Sequence, residues 1–177
     1  MTQPKRHLRS TPQNPRNPQN PRTPVEPQCA GSVRTVTAPA GTMSGATAET
    51  LVTWNLGGGH HVIRSVPVVA TYLAHGDIVS CSERDGILVV DDVVVRGGGT
   101  TLRLLVDSEH AGHRPGLREQ LAGQLIVSGC VVERIGNHVL AVGVGPDVDA
   151  GDIGTLCDAW EDAGVVKVLP GYTPTTD

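Results

Sequence analysis

From Thr100 onward the hydrophobic period switches between two and roughly 3.6, and the order of those switches leaves few folds open. Alternation over Thr100–Val106 predicts a strand, Leu117–Ser128 a helix, Cys130–Ile135 and His138–Val144 two strands, Asp152–Ala163 a second helix, and Val165–Leu169 a last strand. In the first helix Leu117, Leu121 and Leu125 recur every four residues on one face, and Gly129 suits the left-handed position that ends a helix. In the second, Ile153, Leu156, Cys157 and Trp160 share a face, Asp149 is placed to cap the first turn, and Gly164 stops the last. Gly136-Asn137 predicts a tight hairpin between the middle strands. Each helix has one apolar stripe to bury, and a single sheet can cover both. The expected fold is therefore α+β, a ferredoxin-like βαββαβ sandwich over residues 100–172 with both helices on one side.

Upstream, Leu51–Leu56 and His61–Val66 predict strands around Gly57-Gly58-Gly59, Ile78–Cys81 a third, and Ile87–Val95 a β-branched fourth after the turn Asp85-Gly86. Residues 49–99 are expected to form a small β-meander packed with the sandwich as one globular unit. Before them, Gln13–Pro24 runs QNP, RNP, QNP, RTP, a proline at every third place, which favours extended polyproline II over packing. The segment from Gln28 to about Ala48 shows no clear period, so residues 1–48 are expected to be a disordered, basic, proline-rich tail, with residues 173–177 a short C-terminal tail. Met43 stands just before the first expected strand, which suggests a start there and leaves open whether residues 1–42 are translated.

Charge divides the chain at the same place. Residues 1–27 hold Lys5, Arg6, Arg9, Arg16 and Arg22 against Glu26 alone, although the whole chain carries a net −4. The body is acidic and would repel a phosphate backbone, which argues against nucleic acid as its partner. Aromatics make up 2% of residues, with Trp54, Tyr72, Trp160 and Tyr172 and no Phe, so platforms for stacking bases are missing and the core must be aliphatic. No run reaches the roughly 20 apolar residues of a membrane-spanning helix. Cys29, Cys81, Cys130 and Cys157 form no CxxC pair, and without a secretory signal the expectation is reduced thiols in a cytoplasmic protein.

The pieces VPVVATYLAHGDIVSC, RDGILVV, VVRGGGTTLRLLV and LIVSGCVVERIGNHVLAVGVGPDVD, with Pro67, Gly76-Asp77, Asp85-Gly86, Gly99–Arg103, Gly129-Cys130 and Glu133 in order, resemble the bacterial family called domain of unknown function 4265. The resemblance spans roughly residues 50–172, leaves the tail outside, and implies no established activity.

Arg96, Gly97, Gly98, Gly99, Thr100, Thr101 and Arg103 form the strongest candidate ligand site in the sequence. Consecutive glycines can open backbone N–H groups into an anion nest, and hydroxyls and guanidiniums could complete a seat for carboxylate or phosphate. No Walker pattern is present, and the bland alternative is a turn whose arginines pair with Asp91 and Asp92. His60 and His61, adjacent on a strand, point to opposite faces and cannot share an ion. Asp107, Glu109, His110 and His113 have better spacing for a metal, but a solvated connection carries the same residues, so no metal and no cofactor is expected. Cys130 and Cys157 read as packing thiols, while Cys81, with His75 and Asp77 nearby in sequence, is the least easily dismissed as a nucleophile. No catalytic residue is assigned. The composite expectation is a non-enzymatic binding module for a protein or a small anionic ligand, with an exposed sheet edge that would permit a homodimer. The alternative is an enzyme whose site lies at the junction of the meander and the sandwich, using Arg96, Arg103, Asp77 or Cys81.

Overall fold

The computed structural model of the chain describes residues 30–40, 46–107 and 116–173. Five strands come first: β1 (Val33–Pro39), β2 (Ala48–Gly57), β3 (His60–Ile63), β4 (Ile78–Arg84) and β5 (Ile87–Val95). They close into a barrel in sequence order, antiparallel throughout except where β1 meets β5 in parallel at Thr37 and Val89. A small β-meander was expected over residues 49–99. The difference is β1, which lies inside the segment expected to be disordered.

That segment folds because VRTVTAP is short-chained yet β-branched, and a narrow barrel accepts it. Val36 and Ala38 point inward and are fully buried, while the strand pairs with β2 from Val33–Trp54 to Pro39–Ala48. The predicted disorder is thus wrong for residues 33–39 and for the start of β2. Residues 1–29 and 41–45, the proline repeat and Met43 among them, lie outside the described residues. Val36, Ala38, Leu51, Ile63, Val79 and Val90 fill the barrel, with Ala70 and Leu73 from the β3–β4 connection closing one end. β3 ends at Ile63, earlier than expected, because Arg64 and Ser65 both turn their N–H groups onto Val52 O.

The second unit follows the predicted order: β6 (Thr100–Val106), α1 (Leu117–Val127), β7 (Val131–Ile135), β8 (Val139–Val144), α2 (Ala150–Asp162) and β9 (Val166–Pro170). Its sheet runs β7-β8-β6-β9 with antiparallel neighbours. Asp149 caps α2, accepting from Gly151 N at 2.8 Å and Asp152 N at 3.2 Å, and Gly129 and Gly164 take left-handed φ of 91° and 69° beyond the two helices. The middle hairpin turns through Gly136, Asn137 and His138, one residue more than a two-residue turn, with Ile135 facing Val139. Leu117, Leu121 and Leu125 of α1 and Ile153 and Cys157 of α2 join Leu104, Val106, Leu140, Val142 and Val144 in one cluster. Both helices therefore cover the same face, presented by alternate residues of β6 and β8. The intervening residues, Thr101, Arg103, Ala141 and Gly143, face the other way, toward the barrel.

Candidate functional site

The RGGGTT segment links β5 to β6 and passes through the junction of barrel and sheet, where its polar groups already have partners. Asp77 is 0% exposed; its Oδ1 accepts from Gly97 N at 2.8 Å, and its Oδ2 accepts from Ala74 N at 3.0 Å and Arg96 Nη1 at 2.9 Å. Arg96 also donates to Tyr72 O at 2.7 Å and lies 4.5 Å over the Tyr172 ring. The anion that sequence reasoning sought for this arginine and this N–H is thus the chain's own buried carboxylate. Asp91 and Asp92 are engaged elsewhere, Asp91 with Arg84 and Ser82 and Asp92 with Val93 N.

The glycines answer to space. A Cβ at Gly97 would fall 2.5 Å from the Gly76 carbonyl carbon, and one at Gly99 2.9 Å from Val144 O. Gly98 has φ 75° and sits against Pro146. Thr100 and Thr101 open β6, with Thr101 buried and its N–H bound to Tyr172 O. Arg103 Nη1 donates to Val68 O at 2.9 Å, Glu133 accepts from Val66 N at 2.8 Å, and Glu49 gathers Val68, Val69 and Ala70 N–H groups at 2.8 Å each. The seven candidates are therefore distributed along a packed seam, across which Glu133 of the sheet holds the Val66 backbone while Asp77 clamps the β3–β4 connection to the link before β6.

The reactive residues also separate. His75 packs its Cβ on Gly143 of the sheet, whereas Cys81 packs on the barrel core. Burial, with Asp91 nearby, pushes the Cys81 thiol up to about 11, so it is protonated at neutral pH and a poor nucleophile. Cys130 and Cys157 are buried in the helix-side core as expected. Asp107 follows β6, but Glu109, His110 and His113 lie outside the described residues, among which no group of three or more metal-type ligands gathers.

His60 and His61 diverge, and His61 enters the barrel. Thr53 Oγ1 donates to Arg34 O at 3.2 Å, so the His61 Nδ1–H donates to that hydroxyl at 3.1 Å. Burial first, then Arg34 and His60, hold His61 below the usual imidazole range; burial and Arg64 do the same to His75. Below about pH 6.5 the unfolded chain therefore binds protons that the fold refuses. Stability is expected to be complete above that pH and to fall as pH drops through it toward the folded values. Urea midpoints taken from pH 7.5 to 5.5 should show this decline, and His61→Gln should flatten it; equal slopes in the two proteins would refute the assignment.

One surface contradicts the alternation rule. In β2 the inward positions are Leu51, Thr53 and Asn55, all buried, while Val52, Trp54 and Leu56 point outward at 43%, 42% and 44% exposure. Val33, 63% exposed, faces Trp54 from β1, and Val62 faces it from β3. A one-residue register slip would bury the larger apolar set. It is prevented because Thr53 and Asn55 are satisfied inside, the latter accepting from Gly57 N at 2.8 Å, while Glu49 is locked onto the 68–70 backbone. Sequence reasoning singled out Trp54 only as a scarce aromatic. The available signal was the alternation of LVTWNL itself, once Thr53 and Asn55 are known to face inward.

Residues 49–168 match the profile of the family described as Domain of unknown function (DUF4265). Among solved structures, a hypothetical protein from Neisseria gonorrhoeae has a similar fold, at 22% identity and a TM-score of 0.64, over 82% of this chain and 97% of that one. Among curated proteins none matches. No helix among the described residues is long and apolar enough to cross a membrane.

Proposed function

We propose that this chain, which belongs to the DUF4265 family, is a non-enzymatic binding module that docks a polypeptide on the outer wall of its barrel. The observation that carries the reading is the inverted phase of β2: a strand that buries threonine and asparagine while exposing valine, tryptophan and leucine breaks local consistency, and such breaks concentrate at functional surfaces. Tryptophan is also among the residue types most enriched at the energetic anchors of interfaces. The small-anion version of the reading has less support, since Arg96 and Gly97 are held by Asp77. The enzyme alternative loses ground because Cys81 is held protonated and its neighbour in sequence, His75, packs elsewhere. We assign the second unit to the ferredoxin-like class on its βαββαβ order and its β7-β8-β6-β9 sheet.

The test is quantitative recovery of proteins from the native host on the intact chain and on Trp54→Ala. Partners that use the stripe should fall by at least about tenfold, the loss of one anchor. A partner set unchanged by Trp54→Ala, with the variant folded by circular dichroism, would dispose of this surface.

A further inference from the structure

Granting that the stripe is a docking surface, we infer that its resident occupant is the chain's own proline repeat, residues 12–27, laid along β2 as a polyproline II helix. The path leads there. Gly31 N donates to Asn55 O at 2.7 Å, Asn55 N to Ser32 O at 2.9 Å, and a Cβ at Gly31 would touch the Trp54 ring at 3.8 Å. The described chain thus begins at Ala30 beside Gly57 and Trp54, and two residues separate the repeat from that point, so its local concentration at the stripe is of the millimolar order that a short tether gives.

The repeat fits what it meets. Pro12, Pro15, Pro18, Pro21, Pro24 and Pro27 recur every three residues, so in a helix of three residues per turn they form one continuous apolar edge. Val52, Trp54 and Leu56 project from one side of β2 over roughly 13 Å, which four or five residues of polyproline II cover. Arg16 and Arg22, six residues apart, share a second edge from which a guanidinium can stack on the indole. Charge acts in the same sense: the segment is basic, and the rest of the chain is acidic. A stripe of four exposed side chains offers a few hundred Å², well below the roughly 800 Å² per partner of a stable globular interface, which suits a short extended segment better than a second copy. An outside partner would then have to displace the repeat.

Acrylamide quenching of the full chain carrying Trp160→Phe, in which Trp54 is the only indole, tests this directly. Replacing Pro15, Pro18, Pro21 and Pro24 by Ala should raise the quenching constant at least about twofold, and a synthetic peptide of residues 12–27 added to that variant should lower it again. In the native chain the Trp54 indole N–H resonance gives the same readout if Trp160→Phe does not fold. Equal quenching with and without the prolines would overturn the inference, and so would protection that depends on protein concentration, the mark of a second copy. In either case a loss of partners on Trp54→Ala would still uphold the docking surface.

Discussion

A chain beginning at Met43 is expected to lose the barrel, while one beginning at Ala30 keeps it. The shorter chain lacks β1, whose Val36 and Ala38 are buried in the barrel and whose backbone pairs with β2 over seven residues and touches β5. Burying a valine is worth about 1.5–3 kcal/mol, and each ladder hydrogen bond about 1 kcal/mol net. Summed over the strand, the loss is comparable with the whole stability of a small domain, about 5–15 kcal/mol. It also uncovers Leu51 and leaves two apolar strand edges unpaired, which invites aggregation. Hydrogen exchange should show β2 and β3 unprotected in the Met43 chain, with any surviving thermal transition confined to the βαββαβ unit. The Ala30 chain should keep β2 and β3 protected and a barrel transition close to the full chain's. A Met43 chain with that same transition would show that β1 is dispensable.

The strand that decides this result was the hardest to see. The second unit was legible because its helices are long, capped and periodic: Leu117, Leu121 and Leu125 can be written onto one helix face without knowing what they touch. β5 was bounded correctly as a β-branched run between glycines, and β6 as an apolar run opening after Gly99 and closing at Asp107. β1 offers no such contrast. Val33, Thr35 and Thr37 face outward and Val36 and Ala38 inward, so both faces carry small side chains of similar hydropathy and the period is faint. Its neighbours in sequence are proline- and glycine-rich, and its stability comes from β2, β5 and the barrel interior, partners that no local window contains.

The candidate site was legible as composition and misplaced as chemistry. Arg96-Gly97-Gly98-Gly99 signals a backbone under constraint, and the structure shows such a constraint; what sequence spacing could not convey is that Asp77, 20 residues upstream of Gly97, supplies the carboxylate. Glu49 and Glu133 likewise serve loop N–H groups about 20 and 67 residues away, and carboxylates used at such separations leave no motif. The stripe on β2 failed for a different reason. Hydrophobic alternation tells which residues share a face but not which face is inside, and here the polar set won because His61 and the strand backbone satisfy it.

Asp77→Ala is expected to destabilise the protein by about 2–6 kcal/mol, about 1–3 kcal/mol for each of two backbone N–H groups that lose their acceptor. The carboxylate is wholly buried and accepts from two backbone N–H groups and one guanidinium; removing it takes the acceptor from the buried Ala74 N–H and the half-buried Gly97 N–H. Asp77→Asn keeps the shape but turns an amide N–H₂ toward donors, so it should recover only part of the loss. Arg96→Ala is the informative contrast. Its side chain is 43% exposed and the carboxylate retains both backbone donors, so the cost, which includes the bond to Tyr72 O and the stack on Tyr172, should stay below that of Asp77→Ala. Gly97→Ala probes the same seam from the other strand, since its Cβ would meet Gly76 backbone at 2.5 Å and cannot be accommodated by a rotamer change. Urea unfolding of the four variants should therefore rank Asp77→Ala and Gly97→Ala well beyond Asp77→Asn, and Arg96→Ala last. If Arg96→Ala instead matched Asp77→Ala, the ion pair rather than the backbone clamp would be what fastens the β3–β4 connection to the link before β6, and the carboxylate's two N–H partners would be incidental.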